Sequence, residues 1–281
     1  MTTLAGLIDD LDAEYGSLHA LVAPLAADDP AWDTATPAEG WAVRDQISHL
    51  AYFDGAARRA VVEPESFVAE AEAALAVPGD PMEVHLGPGR ALDGSGLLAW
   101  WEGAHAGMVE ACARLGPSDR VPWFGPPMGA LSFVSARLME TWAHGQDVAD
   151  ALGADRPATD RLRHIAHLGV RARPYSYRVR GREIPAGRIG VDLVAPSGEH
   201  WVWEVGETGP AAGGAAGSGA VATISGPAVD FCLVVAQRRH LSDTALEVDG
   251  PVALEWMALA QVFAGPPGPG RAPAGGSGTS G

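Results

Sequence analysis

Glu140 and His144 stand four residues apart in the segment Arg137-Leu138-Met139-Glu140-Thr141-Trp142-Ala143-His144-Gly145-Gln146-Asp147. On a helix this spacing brings both side chains out of one face, about one turn apart. A carboxylate oxygen and an imidazole nitrogen so placed can reach one divalent ion at roughly 2 Å each. Asp147, three residues further on the same face, is placed to orient the histidine from behind. A Glu and a His at this spacing also decorate many ordinary solvated helices, so the pair alone is a weak signal. Two observations strengthen it. The segment is otherwise apolar, with Leu131, Phe133, Val134, Leu138, Met139 and Trp142, so its polar residues do more than coat a surface. His49 lies in a second segment, Gly40-Trp41-Ala42-Val43-Arg44-Asp45-Gln46-Ile47-Ser48-His49-Leu50, beside the apolar Ile47 and Leu50. A mid-helix histidine there is ordinarily a hydrogen-bonded core residue; beside a Glu/His pair it becomes a third candidate ligand. The histidines at 19, 85, 105, 200 and 240 show no partner pattern, and His164 and His167, three apart, read as surface residues.

Composition narrows the chemistry further. All 19 basic residues are arginine, so there is no lysine for a Schiff base, a pyridoxal-phosphate anchor or a Walker-type phosphate loop. The formal net charge of -16 argues against nucleic acid, whose binding rests on neutralising phosphates. Cys112 and Cys232 are far apart, each in an apolar segment, and read as buried thiols rather than a disulfide or zinc knuckle. No apolar run approaches the roughly 18 to 20 residues of a membrane span, and the N-terminus lacks a basic region followed by an apolar one. A cytoplasmic protein with no membrane partner is expected. The charge is uneven. From Arg156 to Arg188 nine arginines face two acids, Asp160 and Glu183, while the remainder holds 10 arginines against 33 acids. Such an island either pairs with acidic neighbours or holds an anionic small molecule, because the guanidinium fork matches a carboxylate.

The elements that would carry these residues follow from periodicity. Leu4, Leu7, Ile8, Leu11, Tyr15, Leu18 and Val22 recur at helical spacing, which predicts a helix over Thr3 to Ala26. Further helices are expected over Trp41 to Val62, Glu65 to Ala76, Leu97 to Leu115 and Met128 to Leu152, the last stopped by Gly153. Pro78 to Gly96 reads as a long connection, and Trp123-Phe124-Gly125-Pro126-Pro127 as a rigid aromatic loop. Four long helices with one extended crossover fit a bundle over residues 1–155. The pattern then changes. A helix over Thr159 to Arg173 is followed by strands at Ile189 to Ala195, Trp201 to Val205 and Val221 to Ser225, with a turn at Pro196-Ser197-Gly198 and a flexible Gly/Ala loop from Gly209 to Gly219. Helical segments at Pro227 to Gln237 and Pro251 to Phe263 complete a smaller α+β domain over 156–264. Residues 265–281, rich in Gly and Pro, are expected to be a disordered tail.

The pairing of GWAVRDQISHL with the later RLMETWAHGQDVADALG resembles the DinB-like metal-binding bundles, and more narrowly the N-terminal domain of the mycothiol-dependent maleylpyruvate isomerase family. The resemblance covers about residues 1–155 and implies that the metal ligands are His49, Glu140 and His144, with Asp147 as the motif's aspartate. The C-terminal part is similar to the sterol-carrier-like α+β domain often attached to these bundles, and the whole arrangement to an actinobacterial metal-binding subgroup. Two histidines and a carboxylate leave a tetrahedral zinc with an open position, at which an added thiol would become the reactive thiolate. With mycothiol as cosubstrate this implies cis–trans isomerisation of an activated alkene or S-transfer to a small electrophile, with Asp147 moving a proton. In these isomerases the second domain adds an arginine; Arg173, Arg178 and Arg182 are the candidates for a substrate carboxylate. Two other readings stay open: metal-dependent hydrolysis without a thiol, and a non-catalytic protein binding an apolar small molecule.

Overall fold

In the computed structural model, which describes residues 2–76, 81–206 and 222–275, the apolar periodicities become helices whose starts are set by side chains. Helix α1 (Leu4–Val22) begins where the Thr3 hydroxyl accepts the Gly6 N–H at 3.1 Å, and it buries Leu7, Leu11, Leu18 and Val22 along one face. Helix α2 (Val43–Val62) begins where the Asp45 carboxylate reaches back to the Ala42 N–H at 2.9 Å. Helices α3 (Pro64–Ala76) and α4 (Pro81–Arg90) are shorter. Helix α5 (Gly94–Cys112) is capped by Asp93, which accepts the Gly96 N–H at 2.7 Å. After a hairpin of β1 (Arg120–Trp123) and β2 (Gly125–Gly129), helix α6 (Ala130–Leu152) runs to Gly153, whose φ of 60° is the left-handed conformation that ends a helix. These elements form the first of two units, Met1–Arg156; the second is Pro157–Gly281.

In the first unit α2 packs on α5 and α6, and α1 packs on α6. The core between them holds Leu18, Val22, Trp32, Val43, Ile47, Leu50, Leu97, Trp101 and Val148. Both segments that bear candidate ligands, α2 and α6, are thus core helices lying side by side. Cys112 is buried in this unit and burial pushes its thiol up to about 12, so it is an inert packing residue, as is the buried Cys232 of the second unit.

Two expectations from the sequence need correction. The stretch from Pro78 to Gly96 is not simply a connection, since residues 81–90 form α4 despite Gly87-Pro88-Gly89. Tertiary contacts with α2 override the poor local propensity. The Ser48 hydroxyl donates to the carbonyls of His85 and Leu86 at 2.7 and 3.3 Å, and Arg90 Nε donates to Asp45 Oδ1 at 2.8 Å. Gly89 is required for this approach, because a Cβ there would meet Ser48 Oγ at 2.3 Å. The aromatic loop is the tip of a β-hairpin, with Val121 opposite Met128 and Trp123 opposite Gly125. Its prolines are compatible with a two-stranded ribbon, where each strand is an edge.

The second unit is α+β. Its four-stranded mixed sheet has the order β4 (His200–Val205), β3 (Ile189–Val194), β5 (Ala222–Pro227), β6 (Glu247–Asp249). The β3–β4 and β5–β6 pairs are antiparallel and β3–β5 is parallel. Ile189, Val191 and Leu193 alternate into the core, as a strand with one covered face requires. The helices are α7 (Leu162–Arg171), α8 (Arg173–Arg178), α9 (Ala228–Val235) and α10 (Pro251–Leu259). The expected strands are present, and the helix expected over Thr159 to Arg173 is α7; β6 and α8 were not foreseen. The Gly209 to Gly219 loop lies outside the described residues. Of the tail, the Gly268 carbonyl accepts from Arg180 at 3.3 Å and the Ala274 N–H donates to Asp243 at 2.8 Å. Among the described residues no helix is long and apolar enough to cross a membrane.

Candidate metal centre

His49 projects from α2 and Glu140 and His144 from α6, and one ligand atom of each lies within 4.8 Å of the others. Glu140 Oε2 is 3.2 Å from His144 Nε2 and 3.9 Å from His49 Nε2. Two ligands each ~2.1 Å from one tetrahedral ion stand roughly 3.4 Å apart, so the spacing matches a shared cation. Burial pushes the Glu140 carboxyl up, but the adjoining imidazoles of His144 and His49 outweigh it and hold it well below the usual carboxylate range. Burial and the neighbouring His144 ring hold His49 at about 3, against the pull of Glu140. An ionised carboxylate beside a neutral imidazole is the donor state a metal requires.

The orientation of His144 is determined by a chain of hydrogen bonds that starts outside the site. The Thr36 hydroxyl donates to the Trp41 carbonyl at 2.9 Å, and Gln46 Nε2 donates to Thr36 Oγ1 at 2.8 Å. The Gln46 amide is thereby turned so that its Oε1 faces His144 Nδ1, 2.5 Å away. Since Oε1 can only accept, Nδ1 carries the proton and Nε2 presents its lone pair toward Glu140. With Nε2 unprotonated, this lone pair and the carboxylate oxygen 3.2 Å from it converge on one point, a geometry that fits a shared metal ion. The His49 ring is held by α4: its Nδ1 is 3.0 Å from Nδ1 of His85, which turns Nε2 toward the centre. Aromatic rings close the flanks, with Trp41 stacked on His144 at 5.8 Å and Phe53 4.6 Å from His49.

The structure therefore brings together all three sequence-predicted ligands. Asp147 is buried at 1% one turn beyond His144, while the place at Nδ1 that the spacing offered to it is taken by Gln46 of the facing helix. His85, read from sequence as lacking a partner, is a neighbour of His49. Gln46 was also missed. Its signal was available: a polar residue three before His49, on the buried stripe of its helix. Gln46→Leu is expected to weaken metal binding by ~10- to 100-fold, the usual cost of losing an outer partner, with the helical circular dichroism unchanged. A competition titration against a chromophoric chelator measures it.

The three candidate arginines lie in the second unit, where each has a local partner. Arg173 is buried at 3%, donates to the Pro185 carbonyl at 3.1 Å and lies over the Tyr177 ring. Arg178 lies over Tyr175, and Arg182 is 3.5 Å from Glu255. Arg188 pairs with Glu204 at 2.9 Å, and Arg156, at the start of the island, pairs with Glu14 and donates to the Trp142 carbonyl in the first unit. Much of the basic island is thus tied to local acceptors.

The profile of the mycothiol maleylpyruvate isomerase N-terminal domain matches residues 11–149, the stretch that contains every ligand candidate. Two uncharacterized proteins of Mycobacterium tuberculosis, from the Oshkosh and H37Rv strains, are each 44% identical to this chain over 264 residues, or 94% of this chain and 97% of theirs. Among solved structures, the mycothiol-dependent maleylpyruvate isomerase is similar with a TM-score of 0.55 at 15% identity, covering 90% of this chain and 96% of that one. A histidine-to-alanine mutant of that enzyme gives 0.54 at 18% identity over 90% and 94%. At such identities the likeness is one of fold, and it extends over both units. The profile match, which spans α2 and α6, places the chain in the mycothiol maleylpyruvate isomerase N-terminal domain family.

Proposed function

We propose that this protein is a zinc-dependent enzyme that uses mycothiol to isomerise, or to transfer its sulfur to, a small electrophilic substrate. We read its first unit as a DinB-like four-helix bundle and its second as the sterol-carrier-like domain that accompanies such bundles. The observation that carries the reading is the donor set: His49, Glu140 and a His144 oriented by Gln46, with no fourth protein ligand grouped with them among the described residues. A zinc ion held there would supply an open coordination position, and with it an acidified thiol, at neutral pH. The chain's own residues do the remaining work. Gln46 keeps His144 in the ligating tautomer, His85 holds the His49 ring in place, and Trp41 and Phe53 exclude water from their flanks. Asp147, buried one turn beyond His144 on α6, is the group we assign to moving the thiol proton.

In the reaction the sulfur bonds to one alkene carbon, the π bond breaks, and the thiol proton passes to the adjacent carbon. Rotation and reversal give the isomer; retention of the adduct gives the thioether. Of the arginines proposed for a substrate carboxylate, Arg178 and Arg182 are exposed on the second unit and Arg173 is buried. The test is cobalt substitution followed by titration with mycothiol. One metal per chain and a thiolate-to-cobalt charge-transfer band are expected, and the two buried cysteines cannot produce that band themselves. Metal without the band overturns the thiol chemistry in favour of hydrolysis, and a chain that binds no metal overturns the whole reading.

A further inference from the structure

From His49 a series of aromatic rings leads outward to solvent. Phe53, one turn beyond His49 on α2, is 4.6 Å from it and touches Phe124 at 5.7 Å and Trp123 at 6.2 Å. Trp123 and Phe124 are at the tip of the β1–β2 hairpin. Trp123 is stacked on Phe67 at 5.6 Å and meets the edge of Phe133 at 5.3 Å. Phe67 and Phe133 are 2% and 1% exposed and hold the hairpin tip in place, whereas Phe124 is 45% exposed. An apolar ring left that far in water, on a short ribbon anchored from below, is costly unless something covers it.

Charge at the same place points to what covers it. Most arginines on the ligand helices and on α4 are engaged by acids: Arg44 with Asp33, Arg59 with Glu70, Arg90 with Asp45 and Glu83, and Arg137 with Asp54. Arg58 runs along Gly107 of α5, and Arg120 donates to the Pro127 carbonyl. Among the described residues Arg58 and Arg120 have no acidic partner, yet no guanidinium lies over the ring of Phe53, Trp123 or Phe124. Flat faces are offered instead, and these favour offset-stacked and edge-on contact with another π system.

We propose that the part of the substrate received at this centre is uncharged and flat, a conjugated aryl or enone electrophile, and that Phe53, Trp123 and Phe124 select it. The inference deepens the thiol-dependent reading above and rests on the same site. Any carboxylate on the substrate must then be remote from the reacting alkene. Phe124 is the informative position, since its exposure makes substitution safe for the fold.

The experiment is calorimetric titration of the metal-loaded protein, without thiol, using benzalacetone as an uncharged aryl enone and maleate as a small di-acid. Benzalacetone is expected to bind at least ~10-fold more tightly than maleate, and Phe124→Ala to weaken benzalacetone by roughly 5- to 10-fold, the range of an aromatic pair, while bound metal stays constant. Trp123→Leu should act in the same direction. A wild-type chain that takes up maleate as well as benzalacetone, or takes up neither, overturns the proposal. So does a Phe124→Ala variant with unchanged affinity for the enone. Because no thiol is present, these outcomes are independent of the cobalt–mycothiol band, so failure of the substrate class and failure of the thiol chemistry are separately visible.

Discussion

Glu140→Gln is expected to release the metal that the wild-type chain retains, with an affinity loss greater than the ~100-fold upper end seen for outer partners. The carboxylate lies 3.2 Å from one imidazole nitrogen and 3.9 Å from the other, and it is the only anion of the three ligands. An amide of the same shape keeps the packing but removes the charge that offsets a dication in a site flanked by Trp41 and Phe53. His49→Ala and His144→Ala should lose metal to the same degree, each from a different helix. The measurement is metal content after gel filtration, with the chelator titration for variants that retain some. Helical circular dichroism serves as the control for folding. Full metal occupancy in Glu140→Gln would mean that the ion is held elsewhere.

Arg137→Met is expected to destabilise the first unit by about 3 to 5 kcal/mol, lowering its Tm by roughly 6 to 20 °C. Arg137 donates to Asp54 at 2.8 Å, and the two side chains are 4% and 1% exposed. Removing the guanidinium leaves a carboxylate uncompensated in the core, with His105 Nδ1 4.0 Å from Asp54 Oδ2. The pair also spans the helices that bear the ligands. Asp54 is five residues after His49 on α2, and Arg137 is three before Glu140 on α6. The variant should therefore bind metal more weakly as well, because the two halves of the centre lose the bond that sets their spacing. Arg137→Met with Asp54→Leu should recover most of the stability, since replacing both partners removes the buried charge altogether. Thermal unfolding followed by tryptophan fluorescence checks both variants. A shift of under about 1 kcal/mol for the single change would show that the pair does not lock α2 to α6.

The reach of the sequence follows from the range of the interactions involved. Periodicity is local, so the long helices and the strands at 189–194, 200–205 and 222–227 were legible from apolar spacing alone. Glu140 and His144 were legible for the same reason, since four residues on a helix place two side chains together whatever the fold. Their meeting with His49, some ninety residues away, came only from the resemblance of two motifs, because nothing in either segment encodes that α2 lies against α6.

Tertiary structure alone decided the rest. Gln46 orients His144 because Thr36 turns its amide, and His85 reaches His49 because Ser48 and Arg90 hold α4 against α2. The Gly-Pro-Gly run in α4 argues for a loop when read locally, and only those contacts outweigh it. Likewise the aromatic tip at Trp123 and Phe124 is apolar in any reading, but that it stands beside Phe53 and hence beside His49 depends on a hairpin folding back between two helices. The sequence alone thus determined which residues could ligate a metal. The packing of distant segments decided which nitrogen each histidine presents and what surrounds it, because hydrogen-bond direction and ring contact depend on partners that no local spacing specifies.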